Sequence, residues 1–299
     1  MRLLPVVMAF FVFFSLISNI VQADRGSIPF KPDVKIFEPN QNALIAWNGI
    51  EEILILTTNL RASEATRVLE VIPMPSEPVV KKGDIEIFRK ATRLINEKRA
   101  RWNTSSGSER GLSMSKGAQP PSGEITFHKT IGAHDVSVAR VLDSRGFVKW
   151  VSDYLKTRNI DNPVIPETLR KVIEEYLAEG FGWFVFDVVQ LDTEAITNQA
   201  IQYRFRTGKM FYPLKISRTD TGYTTIDLLI LTPKLLNNFP GWPGNLIQLR
   251  HEPVSIVSKE VRELSEEIDD LLGNRDDMKL RIWRIKWKLS SFENDLLAY

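Results

Sequence analysis

"ALIAWNGIEEILILTTNL", residues 43–60, places two β-rich runs on either side of Asn48-Gly49. An Asn-Gly pair accepts positive φ at both centres of a type I′ turn, so the stretch predicts a hairpin with strands at 43–47 and 50–58. A tight hairpin can only join antiparallel neighbours, which sets the expectation for the whole fold.

Working outward, "RVLEVIPMP" (67–75) offers a third strand that its prolines end. "GDIEIFRKATRLINEKRARW" (83–102) spaces Ile85, Phe88, Thr92 and Ile95 as a helix does. "EITFHKTI" and "HDVSVARVL" alternate as two strands joined at Gly132-Ala133. A helix is expected from Ser144, with Phe147, Trp150, Val151, Tyr154 and Leu155 on one face. Another runs from Pro166 to Gly180, a proline at its start and a glycine at its end. Strand patterns then crowd together at 183–191, 201–206, 212–217 and 224–232, and an acidic helix is expected over 254–272. Consecutive strands with short connections make an antiparallel meander. The expected class is therefore α+β, a largely antiparallel sheet with helices packed on one side.

The chain opens Met1-Arg2 and runs apolar from Leu3 to Val21, with Val21-x-Ala23 before Asp24. A positive start, an apolar middle and small residues at the cleavage position describe a signal peptide over 1–23. Residues 24–299 are expected as a single domain. Within it, "NTSSGSERGLSMSKGAQPPSG" (103–123) is too rich in Gly, Ser and Pro to offset its ordering entropy, and reads as a flexible insert. The chain has no cysteine, so an exported product would hold no disulfide and has a prokaryotic look. Lys and Arg total 39 against 37 Asp and Glu, and so near-neutral a balance argues against nucleic acid as a partner. Membrane contact is expected only through the signal segment, where it is not cleaved and stays as an N-terminal anchor.

The order of "ALIAWNG…EEILIL", "VLEVIPMPSEP", "IGAHDVSV", "WVSDYL" and "FVFDVVQL…YRFRTGKMFYPLKIS" resembles domain of unknown function 2330, a family of exported prokaryotic proteins. The resemblance covers most of the chain from Asn42 onward and rests on strand patterning and the Pro73-x-Pro75 step. It implies export and a shared fold, and it carries no activity, cofactor or catalytic residue.

Candidate chemistry is sparse. There are three histidines, and His128 and His134 could meet across the "FHKTIGAHD" turn with Asp135 beside them. Two imidazoles and a carboxylate are the types that a metal site uses, although the spacing matches no zinc motif. A His-Asp pair that orders the turn is the simpler alternative. There is no thiol and no G-x-S-x-G elbow. The adjacent acids Glu51-Glu52, Glu174-Glu175, Glu266-Glu267 and Asp269-Asp270 read as solvated faces rather than converging pairs. No cofactor motif is present. "FPGWPGN" (239–245) could present Phe239 and Trp242 to a ligand or partner, or plug the adjacent sheet.

"KLRIWRIKWKL" (279–289) alternates basic and apolar residues with one break at Trp283-Arg284. It reads as a strand with a bulge there, its lysines and arginines protecting a sheet edge. A grip on anionic lipid or polymer through Arg281, Arg284 and Lys286 is the competing reading. Taken together, the expected function is a non-enzymatic binding or scaffolding module of the cell envelope, whose partner is an envelope protein or polymer. The alternative is an extracytoplasmic hydrolase assisted by a metal at His128, His134 and Asp135.

Overall fold

The computed structural model describes residues 26–31, 34–37, 40–57, 60–102, 127–158, 160, 165–193, 199–220 and 222–299. The signal segment 1–23 and the insert 103–123 lie outside these residues. The first half builds β1 (Gly26–Pro29), β2 (Ile36–Phe37), β3 (Asn40–Trp47), β4 (Glu51–Thr57), β5 (Arg61–Ala62), β6 (Thr66–Met74) and β7 (Val79–Lys82). Helix α1 (Glu86–Trp102), β8 (Phe127–Ile131), β9 (His134–Arg140), α2 (Ser144–Lys156) and α3 (Glu167–Ala178) follow. Then come β10 (Trp183–Leu191), β11 (Ala200–Arg206), β12 (Met210–Tyr212) and β13 (Tyr223–Thr232). The last part holds β14 (Ile247–Leu249), β15 (Val254–Ile256), α4 (Ser258–Leu264), α5 (Glu266–Leu272), β16 (Met278–Lys288) and β17 (Leu296–Ala298).

The class is α+β with mostly antiparallel pairing, but two large sheets share the work. One has the order β1-β6-β10-β9-β8 and is antiparallel throughout. The other has the order β14-β16-β13-β3-β4-β11-β7, with β15 also paired to β16, and is parallel only between β3 and β13. Alternate residues of both sheets meet in one apolar layer: Ile72, Val136, Val138 and Val185 from the first, Ile45, Leu54, Tyr203 and Leu228 from the second. Each sheet carries helices on its other face. Phe147, Val151, Leu169 and Ile173 of α2 and α3 cover Phe184 and Phe186, whereas α1, α4 and α5 cover Leu44, Ile53 and Leu280. Helices on one side therefore holds for each sheet, and two such units lie back to back.

Several local differences have plain causes. At the hairpin only Gly49 takes positive φ (+103°), so the turn is not type I′. The Asn48 side chain instead accepts from the Ile50 and Glu51 N–H groups at 2.8 Å and donates to Leu271 O at 2.9 Å. The expected strand at 212–217 stops at Tyr212, and Lys215–Thr219 form a 3-10 turn. The expected helix over 254–272 is a strand and two short helices. Ser265 breaks the helix in extended conformation (φ −164°, ψ 123°) and its hydroxyl caps α5. Glu52 and Asp269, expected in solvent, are buried.

The basic run forms β16 without a bulge, in unbroken register with β13 from Lys279↔Thr232 to Lys288↔Tyr223. It lies inside the sheet rather than at its edge, because β14 and β15 pair on its other side. Arg284 is held by Asp227 through two hydrogen bonds of 2.6 and 2.5 Å. Arg281 is fully buried. A strand of this length between two partners must place one residue in two inward, and the inward set here includes an arginine.

The β8–β9 turn is tightly built. Gly132 has φ +63°, and a Cβ there would come within 2.5 Å of the Gln199 amide, which also accepts from Ala133 N at 2.9 Å. Gly132→Ala is expected to lower stability by about 2 kcal/mol, from the left-handed backbone and the displaced hydrogen bond. The midpoint of denaturant unfolding checks it.

Candidate functional site

Neighbouring residues in a strand point to opposite faces, and this separates the expected metal ligands. His134 turns into the layer between the sheets, fully buried, with Nδ1 2.6 Å from Asp187 Oδ2. Asp187 is also fully buried and stands opposite the buried Glu70 in the β6–β10 register. Asp135 faces the other way and pairs with Arg158. His134 and Asp135 therefore do not converge. The backbone of His128 stands opposite Ser137, and its side chain lies outside the described residues. Among the described residues no group of three or more His, Asp or Glu could hold a metal ion. His251 donates from Nδ1 to Glu252 O at 2.7 Å, and burial draws its pKa down.

On the face of β9 that carries Asp135, the side chains form an open cleft. Helix α2 starts there because Asp143 accepts from Gly146 N at 2.6 Å, capping the first turn. Phe147, Val151 and Leu155 bury one stripe of the helix. Trp150 and Tyr154, one turn apart, form the flank of that stripe and stack with ring centroids 4.7 Å apart. The stack continues in both directions. Phe186 of β10 lies 4.0 Å from the Trp150 ring, and the Arg158 guanidinium sits 3.6 Å over Tyr154. Asp135 holds that guanidinium in place.

Ring faces are thus occupied, and ring edges are what the cleft offers. It measures about 520 Å³, with Trp150, Tyr154 and the buried Ser137 as its lining and Lys149, Asp153 and Gly146 at its margin. The rim charges cancel, since Lys149 Nζ meets Asp153 Oδ2 at 2.5 Å. Burial pushes the Tyr154 hydroxyl up to about 12, against the pull of Ser137 and Arg158, so it stays a protonated donor across the physiological range. The arrangement suits an apolar group.

Phe239 and Trp242 plug the sheet. Phe239 is buried edge-on against Trp283 at 5.2 Å. Trp242 donates from Nε1 to Asp295 O at 3.1 Å and contacts the rings of Phe292 and Trp287. The rings that line the open site had the signal of Trp150 and Tyr154 one helical turn apart. Trp150 and Tyr154 were expected on the buried stripe, and a cleft needs β9 beside them to exist.

The whole fold is similar to the crystal structure of baculovirus P35, at 9% identity and a TM-score of 0.48 over 91% of this chain and 98% of that one. The caspase-8/P35 complex matches at 11% identity and a TM-score of 0.39, over 87% and 95% of the two chains. No curated protein matches the sequence. The family model described as an uncharacterised protein conserved in bacteria, DUF2330, matches residues 20–238, which include β9, α2 and the cleft. The chain belongs to the DUF2330 family of bacterial proteins.

Proposed function

We propose that this chain is an exported, non-enzymatic binding module of the bacterial cell envelope, and that the cleft beside α2 takes its partner. One contrast carries the reading. The acid and imidazole groups His134, Asp187 and Glu70 are fully buried, whereas the open cleft is lined by the stacked rings of Trp150 and Tyr154. Apolar lining with a few placed polar groups is the usual make-up of a binding site. The partner is an envelope protein or polymer that presents an apolar group to the edges of Trp150 and Tyr154. The signal peptide pattern at 1–23 supports export. No helix among the described residues is long and apolar enough to cross a membrane.

Co-sedimentation of the purified chain with isolated cell-wall sacculi, and separately with envelope membrane vesicles, tests this. Wild type is expected to pellet with one of them, and Trp150→Ala to lose about 2 kcal/mol of that binding, some 30-fold. Binding that survives Trp150→Ala unchanged would move the site elsewhere, and no binding to either fraction would remove the envelope reading. The hydrolase alternative is met by elemental analysis. Stoichiometric zinc that disappears in a folded His134→Ala variant would overturn the non-enzymatic reading.

A further inference from the structure

We infer that the inward face of β16 holds a small monovalent inorganic anion, of the size of chloride, between Arg281 and Trp283. Arg281 is among the largest side chains fully removed from solvent in this molecule. Its Nη2 donates to Thr232 Oγ1 at 2.9 Å and its Nη1 to Lys279 O at 3.1 Å, both neutral acceptors. Its Nε–H has no acceptor among the described residues. Among the described residues no carboxylate lies within ion-pair distance of it. A cation taken out of water without a counter-charge is costly, so proteins pair such groups.

A second, independent observation stands two residues away. Trp283 follows Arg281 on the same face of the strand, and its Nε1–H is also buried with no acceptor among the described residues. The edge of Phe239 packs on the Trp283 ring at 5.2 Å, and Leu236 is buried in the same apolar layer. Two donors, one of them charged and fully buried, share one face of the strand, and an acceptor that carries a negative charge would satisfy both. The enclosure selects the class of anion. Phosphate or sulfate would bring more charge and more oxygens than these donors can match, and their dehydration would go uncompensated. A single-charged, weakly hydrated anion fits the count.

Thermal unfolding with sodium gluconate replaced stepwise by sodium chloride, at constant ionic strength, tests the inference. Wild type is expected to gain about 3 °C in Tm as chloride saturates the site, since binding to the folded state alone raises stability. Trp283→Phe keeps the ring against Phe239 and removes one donor, so its gain should fall to less than half. Arg281→Met, which keeps the volume of the side chain, should show no gain. A wild-type Tm indifferent to the exchange, or an equal gain in Trp283→Phe and Arg281→Met, would overturn the assignment and leave Arg281 as a buried cation served by water.

Discussion

Asp295→Ala is expected to lower folding stability by about 4 kcal/mol, because three donors lose one acceptor. Asp295 Oδ1 accepts from the Tyr176 hydroxyl at 2.7 Å, from Leu214 N at 2.9 Å and from Lys215 N at 2.8 Å. Tyr176 in turn accepts from Ile216 N at 3.1 Å, so α3, the 3-10 turn Lys215–Thr219 and the segment before β17 meet at one carboxylate. Each buried donor left without an acceptor costs about 1–3 kcal/mol. Asp295→Asn keeps an acceptor oxygen and should lose about 1 kcal/mol. Urea unfolding of both variants at neutral pH separates the loss of acceptors from the loss of charge.

Acidity gives the same residue a second signature. Burial pushes the Asp295 carboxyl up to about 6, despite the hydrogen bonds and the nearby Lys215 that favour its charge. The folded state therefore holds this proton more tightly than the unfolded chain, whose aspartates titrate near pH 4. The contribution of Asp295 is greatest below about pH 4 and declines as the pH rises through about 6. Asp295→Asn has no such titration. The stability difference between wild type and Asp295→Asn should therefore narrow as the pH is raised from 4 to about 6. A difference that widens over that interval would reverse the sign and remove burial as the controlling influence.

The second large effect is expected at Asp187. Asp187→Ala leaves His134 inside the sandwich without its carboxylate, and breaking such a buried pair costs about 3–5 kcal/mol. Asp187→Asn retains a hydrogen-bond acceptor for Nδ1 and removes one of two facing buried acids, the other being Glu70, so it should cost much less. The pair serves the sandwich and not the cleft. A folded Asp187→Asn protein should bind the envelope fraction as wild type does, while Trp150→Ala should not. Equal loss of binding in both would tie the buried pair to the site.

Much of this fold was legible before the structure. Helix α2 announced itself by Phe147, Val151 and Leu155 at helical spacing, and α3 by Pro166 and Gly180. The longer strands of both sheets showed as runs rich in Val, Ile, Leu and Phe, whereas the short β1, β7, β14 and β15 did not. Less legible was anything that depended on which strand becomes a neighbour. "KLRIWRIKWKL" has the pattern of an edge strand, and its place inside the sheet comes from β14 and β15, which are only three residues each. Such short strands carry little periodicity to read. The Trp283-Arg284 break in alternation stayed in register because an inward Arg281 was tolerated instead of a bulge.

The candidate site was less visible still. His134 and Asp135 were read as partners because they adjoin in sequence, and in a strand adjacency sends side chains to opposite faces. His134 found Asp187 and Asp135 found Arg158, each more than twenty positions away.

By itself the sequence determined the α+β class, the antiparallel habit, the positions of α1, α2 and α3 and the membership of the DUF2330 family. These rest on local periodicity, capping and turn chemistry, which act within a few residues. Tertiary structure alone decided that there are two large sheets, that His134, Asp187 and Glu70 are shut between them, and that Trp150 and Tyr154 border a cleft. Those outcomes depend on which faces meet across the sandwich, and every such meeting joins residues that the chain keeps far apart.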